Sequence, residues 1–207
     1  MSIYNSKNPN VRRFIDHVES LCEKHKVTLD IRKSKFIWLD GAQVAGYFDA
    51  LEPEIRVAGE SNKSVGILVH EFAHMLQWLD KKSIWYTGIS IDQDRFWEWL
   101  AGKRVNNIDK IVDAIIQNER DNEIRTVKLI KKFNLPIDVS QYTREANAYL
   151  LLYHHVKNTR IWTSAKPKPA HIRRELRNAC PDKFLPNYSE YAKYFEQVRH
   201  IYEKHNF

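Results

Sequence analysis

Residues 64–79 read Ser-Val-Gly-Ile-Leu-Val-His-Glu-Phe-Ala-His-Met-Leu-Gln-Trp-Leu, and at their centre stands His70-Glu71-Phe72-Ala73-His74, an H-E-x-x-H stretch. The run has helical character, and on a helix residues four apart share a face, one turn above each other. Two imidazoles so placed can close on a single Zn²⁺. Glu71 points about a quarter-turn away, where a carboxylate can hold a water and take its proton. Nine His and fourteen Glu in 207 residues give about 0.03 chance occurrences of the motif per chain, so its context has to carry weight. That context is Val65, Ile67, Leu68, Val69, Phe72, Met75, Leu76 and Leu79. A helix apolar nearly all round is a buried helix. Two His and a Glu inside it must be satisfied by something. The bland alternative is a pair of hydrogen-bonded core histidines with a Glu salt-bridged elsewhere.

Outward from the motif, the chain divides into strands before it and helices after it. Asn8-Pro9 is a helix cap with Pro at the first position, followed by a stripe of Val11, Phe14, Ile15, Val18, Leu21 and Cys22 that runs to about Lys26. Residues 27–32, 36–39, 44–48 and 54–58 read as strands, with a turn at Asp40-Gly41. Helices are expected over 94–101, ending at Gly102, and over 107–133, 139–157, 171–179 and 188–205. Lys166-Pro-Lys-Pro169 reads as a stiff basic linker. The expected class is α+β: an N-terminal helix and a small, mostly antiparallel sheet, then the motif helix and a helical C-terminal half. Residues 1–160 are expected to form the catalytic domain and 161–207 a helical extension packed on it.

Composition bounds the partners. Hydrophobic residues make up 43% and aromatics 12%, enough for a core. No stretch approaches 18 consecutive apolar residues, so no membrane span is expected. The polar start, residues 1–10, shows no apolar leader segment, and a cytoplasmic location is the default. Cys22 and Cys180 lie far apart and form neither a thiolate zinc site nor a disulfide framework. The net charge of +7 comes in scattered pairs such as Arg12-Arg13, Lys131-Lys132 and Arg173-Arg174. These make a solvated basic surface or a face for the phosphates of DNA or RNA. Trp85, Trp97, Trp99 and Trp162 are the aromatics available for stacking, although most of them are expected to be packing residues.

A catalytic zinc takes three protein ligands and keeps one position open. On helix 107–133, the residues Ile108, Ile111, Val112, Ile115, Thr126, Ile130 and Phe133 form one stripe at about 100° per residue. Glu119 falls near its centre and Glu123 at its edge. Asp121 points the opposite way. A carboxylate on an apolar face is costly unless paired or metal-bound. Glu119 is therefore the preferred third ligand, with Glu123 as the partner that orients an imidazole N–H. Glu145 is the rival, on an inward stripe with Ala148, Tyr149, Leu152 and Val156. Tyr149, Tyr153 and His155 are candidates to steady an oxyanion.

With these residues in hand, the chain resembles the zincin metallopeptidases of the Glu-ligand (gluzincin) branch. There a downstream helix supplies the third ligand as E-x-x-x-D or similar, and Glu119-Arg-Asp-Asn-Glu123 fits with Glu for Asp. The metzincin extension fails, because position 80 is Asp. Residues Thr143-Arg-Glu-Ala-Asn-Ala-Tyr149 are similar to the E-x-x-A-N-x-F stretch of ImmA/IrrE-type regulatory peptidases, whose ligand Glu would fall on Thr143. The layout also resembles small metallopeptidases encoded by bacteriophages, for which the compartment would be the host cytoplasm. The resemblance covers roughly residues 44–150. It implies a zincin-like fold, one Zn²⁺ per chain, and a protein or peptide substrate cleaved by zinc-activated water with Glu71 as general base. It also implies an edge strand, 44–48 or 54–58, that pairs with extended substrate. The alternative is an inactive zincin-like module that binds nucleic acid or a host protein.

Overall fold

The computed structural model describes residues 2–39, 41–80, 89–162, 170–185 and 188–205. The chain forms two compact units, residues 1–86 with 125–137, and residues 87–124 with 138–207. Trp85 and the Lys166–Pro169 linker fall outside the described residues.

In the first unit, α1 (Pro9–His25) starts as its sequence dictates. The Asn8 side chain accepts a hydrogen bond from the Asn10 N–H, and Pro9 occupies the first turn, where its missing N–H costs nothing. Strands β1 (Thr28–Arg32), β4 (Gly46–Asp49) and β5 (Glu54–Ala58) form one sheet in the order β1-β5-β4. The pairing of β1 with β5 is parallel and that of β4 with β5 antiparallel, so the sheet is mixed where a mostly antiparallel one was expected. The β2 (Ile37–Leu39) and β3 (Ala42–Val44) strands form a separate antiparallel hairpin. The single strand expected over 44–48 is thus two: Val44 pairs with Ile37, whereas Gly46 pairs with Val57.

Alternation sorts the three-stranded sheet into two faces. Ile55, Val57 and Phe48 are buried, and α2 (Ser64–Leu79) packs on β4 and β5. Arg56 lies between Asp30 and Tyr47 across the strands, bonded to Asp30 at 2.9 Å and to Glu54 at 2.8 Å, while the Tyr47 hydroxyl donates to Glu54 at 2.9 Å. On its other side α2 meets α1. Phe14 packs edge-on against Phe72 at 5.9 Å and against Phe133 at 5.1 Å, and Cys22 Sγ lies 3.7 Å from Met75 Sδ. Phe14 and Phe72 are fully buried, each contributing about 1.5–3 kcal/mol by removal from water. The motif helix is therefore the centre of its unit.

The second unit is helical: α3 (Ile89–Leu100), α4 (Ile108–Lys132) up to residue 124, α5 (Val139–Thr159), α6 (Ala170–Asn178) and α7 (Ala192–Lys204). Gly102 follows α3 at φ 100°, the left-handed stop its position in the sequence suggests. The helix expected over 188–205 opens as a 3₁₀ turn, Tyr188–Tyr191, before α7. Phe96 gathers Trp97, Trp99, Tyr153 and Trp162 around it, with ring centroids 5.6–6.0 Å away. Buried Asn147 ties α5 to the chain after α6, donating to the carbonyls of Pro181 and Lys183 and accepting from the Tyr191 hydroxyl. Both cysteines are free and buried, and burial raises the Cys22 thiol to about 11 and Cys180 to about 12. No helix among the described residues is long and apolar enough to cross a membrane.

His154 on α5, beside Phe195, is held neutral by burial and then by Lys157, against an opposing pull from Asp113, and its value falls to about 4. The unfolded chain takes up this proton near 6.5, the fold only near 4, so the unfolded state binds more protons between the two. Stability should be level above about pH 6.5 and fall as the pH drops toward 4. Urea midpoints measured across that window should decline, and the decline should be shallower in His154→Gln.

Candidate metal centre

One turn of α2 brings three donors together. His70, Glu71 and His74 each offer a ligand atom, and these atoms lie within 4.8 Å of one another. The two imidazoles stand 4.8 Å apart, nearly perpendicular at 86°. Glu71 and His74 are buried, and His70 is the most exposed of the three. Among the described residues, this is the group able to hold a metal ion.

The orientation of His74 is set from behind. Gln77, three residues on and buried, accepts a hydrogen bond from His74 Nδ1 at 2.9 Å. A proton on Nδ1 leaves the lone pair on Nε2, the tautomer in which a histidine coordinates a metal through Nε2. Ligating histidines characteristically donate their other nitrogen to a fixed acceptor. Burial first, and then His70, hold the His74 imidazole well below its ordinary value, so the ring is neutral at pH 7. Two imidazoles with a carboxylate beside them are a donor set that fits Zn²⁺.

Glu71 is braced by the sheet. A β-carbon built on Gly46 of β4 would stand 2.6 Å from Ile67 Cγ2, 3.0 Å from the Arg56 carbonyl oxygen and 3.3 Å from Glu71 Cγ. Only a glycine lets the strand approach the motif helix this closely. Of the two strands expected to border the site, β5 is paired on both sides, and β4 is the edge strand.

The remaining predicted residues belong to the second unit. Glu119 and Glu123 are buried on α4, as their place on the apolar stripe requires, and Asn118 and Asn122 are buried with them. The Tyr142 hydroxyl donates to Glu123 at 2.7 Å. Glu145 is more open and bonds Arg177 at 3.4 Å and Gln141 at 3.3 Å. Arg125 pairs with Asp80, and Arg144 with Asp182. The Tyr149 and Tyr153 hydroxyls lie 3.0 Å apart. Burial, then Tyr149 and Glu119, hold Tyr153 protonated far above neutral pH. His155 is stacked on Tyr202 at 4.6 Å, deep among the helices.

Gln77 and Gly46 were missed by sequence reasoning. The i+3 offset from His74 was the available signal for the first, and an isolated glycine inside a strand pattern for the second. If the trio holds a metal ion, Gln77→Leu should keep the fold and weaken affinity for that ion about 10–100-fold, as read by competition with a chelator. Gly46→Ala should destabilise the protein by about 1–3 kcal/mol, because its nearest obstacles are a branched side chain and a backbone carbonyl. A denaturant midpoint equal to the wild type would contradict this close approach.

No protein-family model, curated protein or solved structure matches the chain.

Proposed function

We propose that this protein is a zinc-dependent hydrolase and that the bond it cleaves is a peptide bond. The observation that carries the reading is the convergence of His70, Glu71 and His74 on one turn, with His74 held by Gln77 through Nδ1 so that the ring lone pair sits on Nε2. His70 and His74 would hold the ion, and the sequence offers Glu119 as the third protein ligand. Zn²⁺ bound there would supply Lewis acidity, bringing the pKa of a water toward about 7 and polarising a carbonyl.

The protein's own part falls to Glu71. Its carboxylate takes a proton from the attacking water and delivers it to the leaving amine. The buried position of Glu71, against Gly46 and Ile67, excludes bulk water from that transfer and fixes the carboxylate's direction. Peptide cleavage is favoured over other amides by the edge strand β4 beside the motif helix, since extended peptide adds to such an edge through main-chain hydrogen bonds.

The purified protein is expected to carry close to one zinc per chain by elemental analysis. His74→Ala should lose it. Glu71→Gln should keep it and lose about 10²–10⁴-fold in turnover of an unstructured protein substrate. Zinc lost with Glu119→Ala and kept with Glu145→Ala assigns the third ligand, and the reverse result moves it. A protein that stays free of zinc when metal is plentiful refutes the hydrolase and leaves a binding module.

A further inference from the structure

The β2–β3 hairpin keeps little of itself in the core. Of its six strand residues only Ile37 is buried. Trp38 is 61% exposed, Phe36 just before the strand 44%, and Leu39 37%. Phe36 and Trp38 are two residues apart, so both project from the side opposite Ile37. Their rings meet edge to face, with centroids 6.0 Å apart at 88°. An extended chain separates such positions by about 6.7 Å, a step that suits bases splayed apart.

Cations flank these rings. Arg32, Lys33 and Lys35 are all exposed in the turn that enters the hairpin. Arg32 is engaged by Asp30 at 2.6 Å, which leaves the two lysines as the charge facing solvent. The turn is pinned by backbone bonds from Ser34 and Gly59 to the Arg32 carbonyl, each 2.8 Å, and from Glu60 to the Ser34 carbonyl at 3.0 Å. A third exposed ring, Tyr4, is held beside it by its hydroxyl on the Ile31 carbonyl at 2.7 Å.

We propose that this hairpin binds single-stranded nucleic acid, with unpaired bases stacked on Phe36 and Trp38 and phosphates neutralised by Lys33 and Lys35. Aromatic faces beside cations are the recurring equipment for sequence-tolerant binding of single strands. The net charge of +7 favours a polyanion. A bilayer fits less well, because the sequence between β2 and β3 is Asp40-Gly41, which is unsuited to hydrocarbon. The proposal is independent of hydrolysis and applies equally to protein stripped of metal.

The test is fluorescence anisotropy of a labelled thymidine oligonucleotide of about 20 nucleotides, titrated with the full chain at about 50 and 200 mM salt. Trp38→Ala and Phe36→Ala should each weaken binding about tenfold, and Trp38→Phe should restore most of it. Lys33→Glu with Lys35→Glu should weaken binding and flatten its salt dependence. All these side chains are exposed, and thermal melts matching the wild type will show that the variants fold. A duplex of the same sequence and vesicles containing phosphatidylserine are the competing probes. No binding to the oligonucleotide, binding indifferent to all the hairpin variants, or hairpin-dependent binding to vesicles alone would each overturn the proposal.

Discussion

The cost of placing two imidazoles and a carboxylate inside an apolar helix governs the first unit. Helix α2 is covered by the sheet on one side and by α1 with Phe133 on the other, so its polar groups have little water to turn to. A buried polar group without compensation costs several kcal/mol on a scale where whole domains are stable by about 5–15. Gln77 meets part of this demand at His74 Nδ1 and in doing so chooses the tautomer. The same desolvation keeps the ring neutral. Packing and site chemistry thus have a single origin, and the centre is prepared by the core around it.

The sheet shows how a small fold can be specific about distance. Its outer face is tied by Asp30, Arg56, Glu54 and Tyr47, its inner face by Ile55, Val57 and Phe48. With both faces set, register is set, because a one-residue slip would exchange them. Register in turn brings Gly46, and no bulkier residue, opposite Ile67 and Glu71. The second unit solves a similar problem differently, using Asn147 as a polar hub and Phe96 as the centre of an aromatic cluster.

Features that depend on local chemistry could be read from the chain. The bounds of α2 and β5, the Asn8-Pro9 cap and the Gly102 stop follow from periodicity and backbone preference within a few residues. The motif trio was visible because its spacing equals a helical turn. Long-range pairing was not visible. Alternation in 44–48 cannot reveal that the strand changes partner at Ala45, nor that β1 runs parallel to β5. Burial on α4 was foreseen for Glu119 and Glu123, but Asn118 and Asn122 were overlooked, since amides carry no charge to make their burial conspicuous. Of the tryptophans named for stacking, Trp97, Trp99 and Trp162 join the Phe96 cluster, as expected of packing residues, with Trp97 still half exposed; Trp38, which was not named, is more exposed, because hydrophobic type alone does not say which face of a short hairpin is covered.

The two free thiols carry a practical consequence. Cys22 lies in the first unit against Met75, and Cys180 lies buried in the second, its backbone carbonyl accepting a hydrogen bond from the Arg144 guanidinium. With their acidities suppressed to about 11 and about 12, neither presents an appreciable thiolate at neutral pH while its surroundings stay closed. Alkylation of each sulfur therefore has to wait for local opening. The chain carries a built-in clock for each unit, and peptide mapping of the labelled cysteines would time the breathing of one unit separately from that of the other.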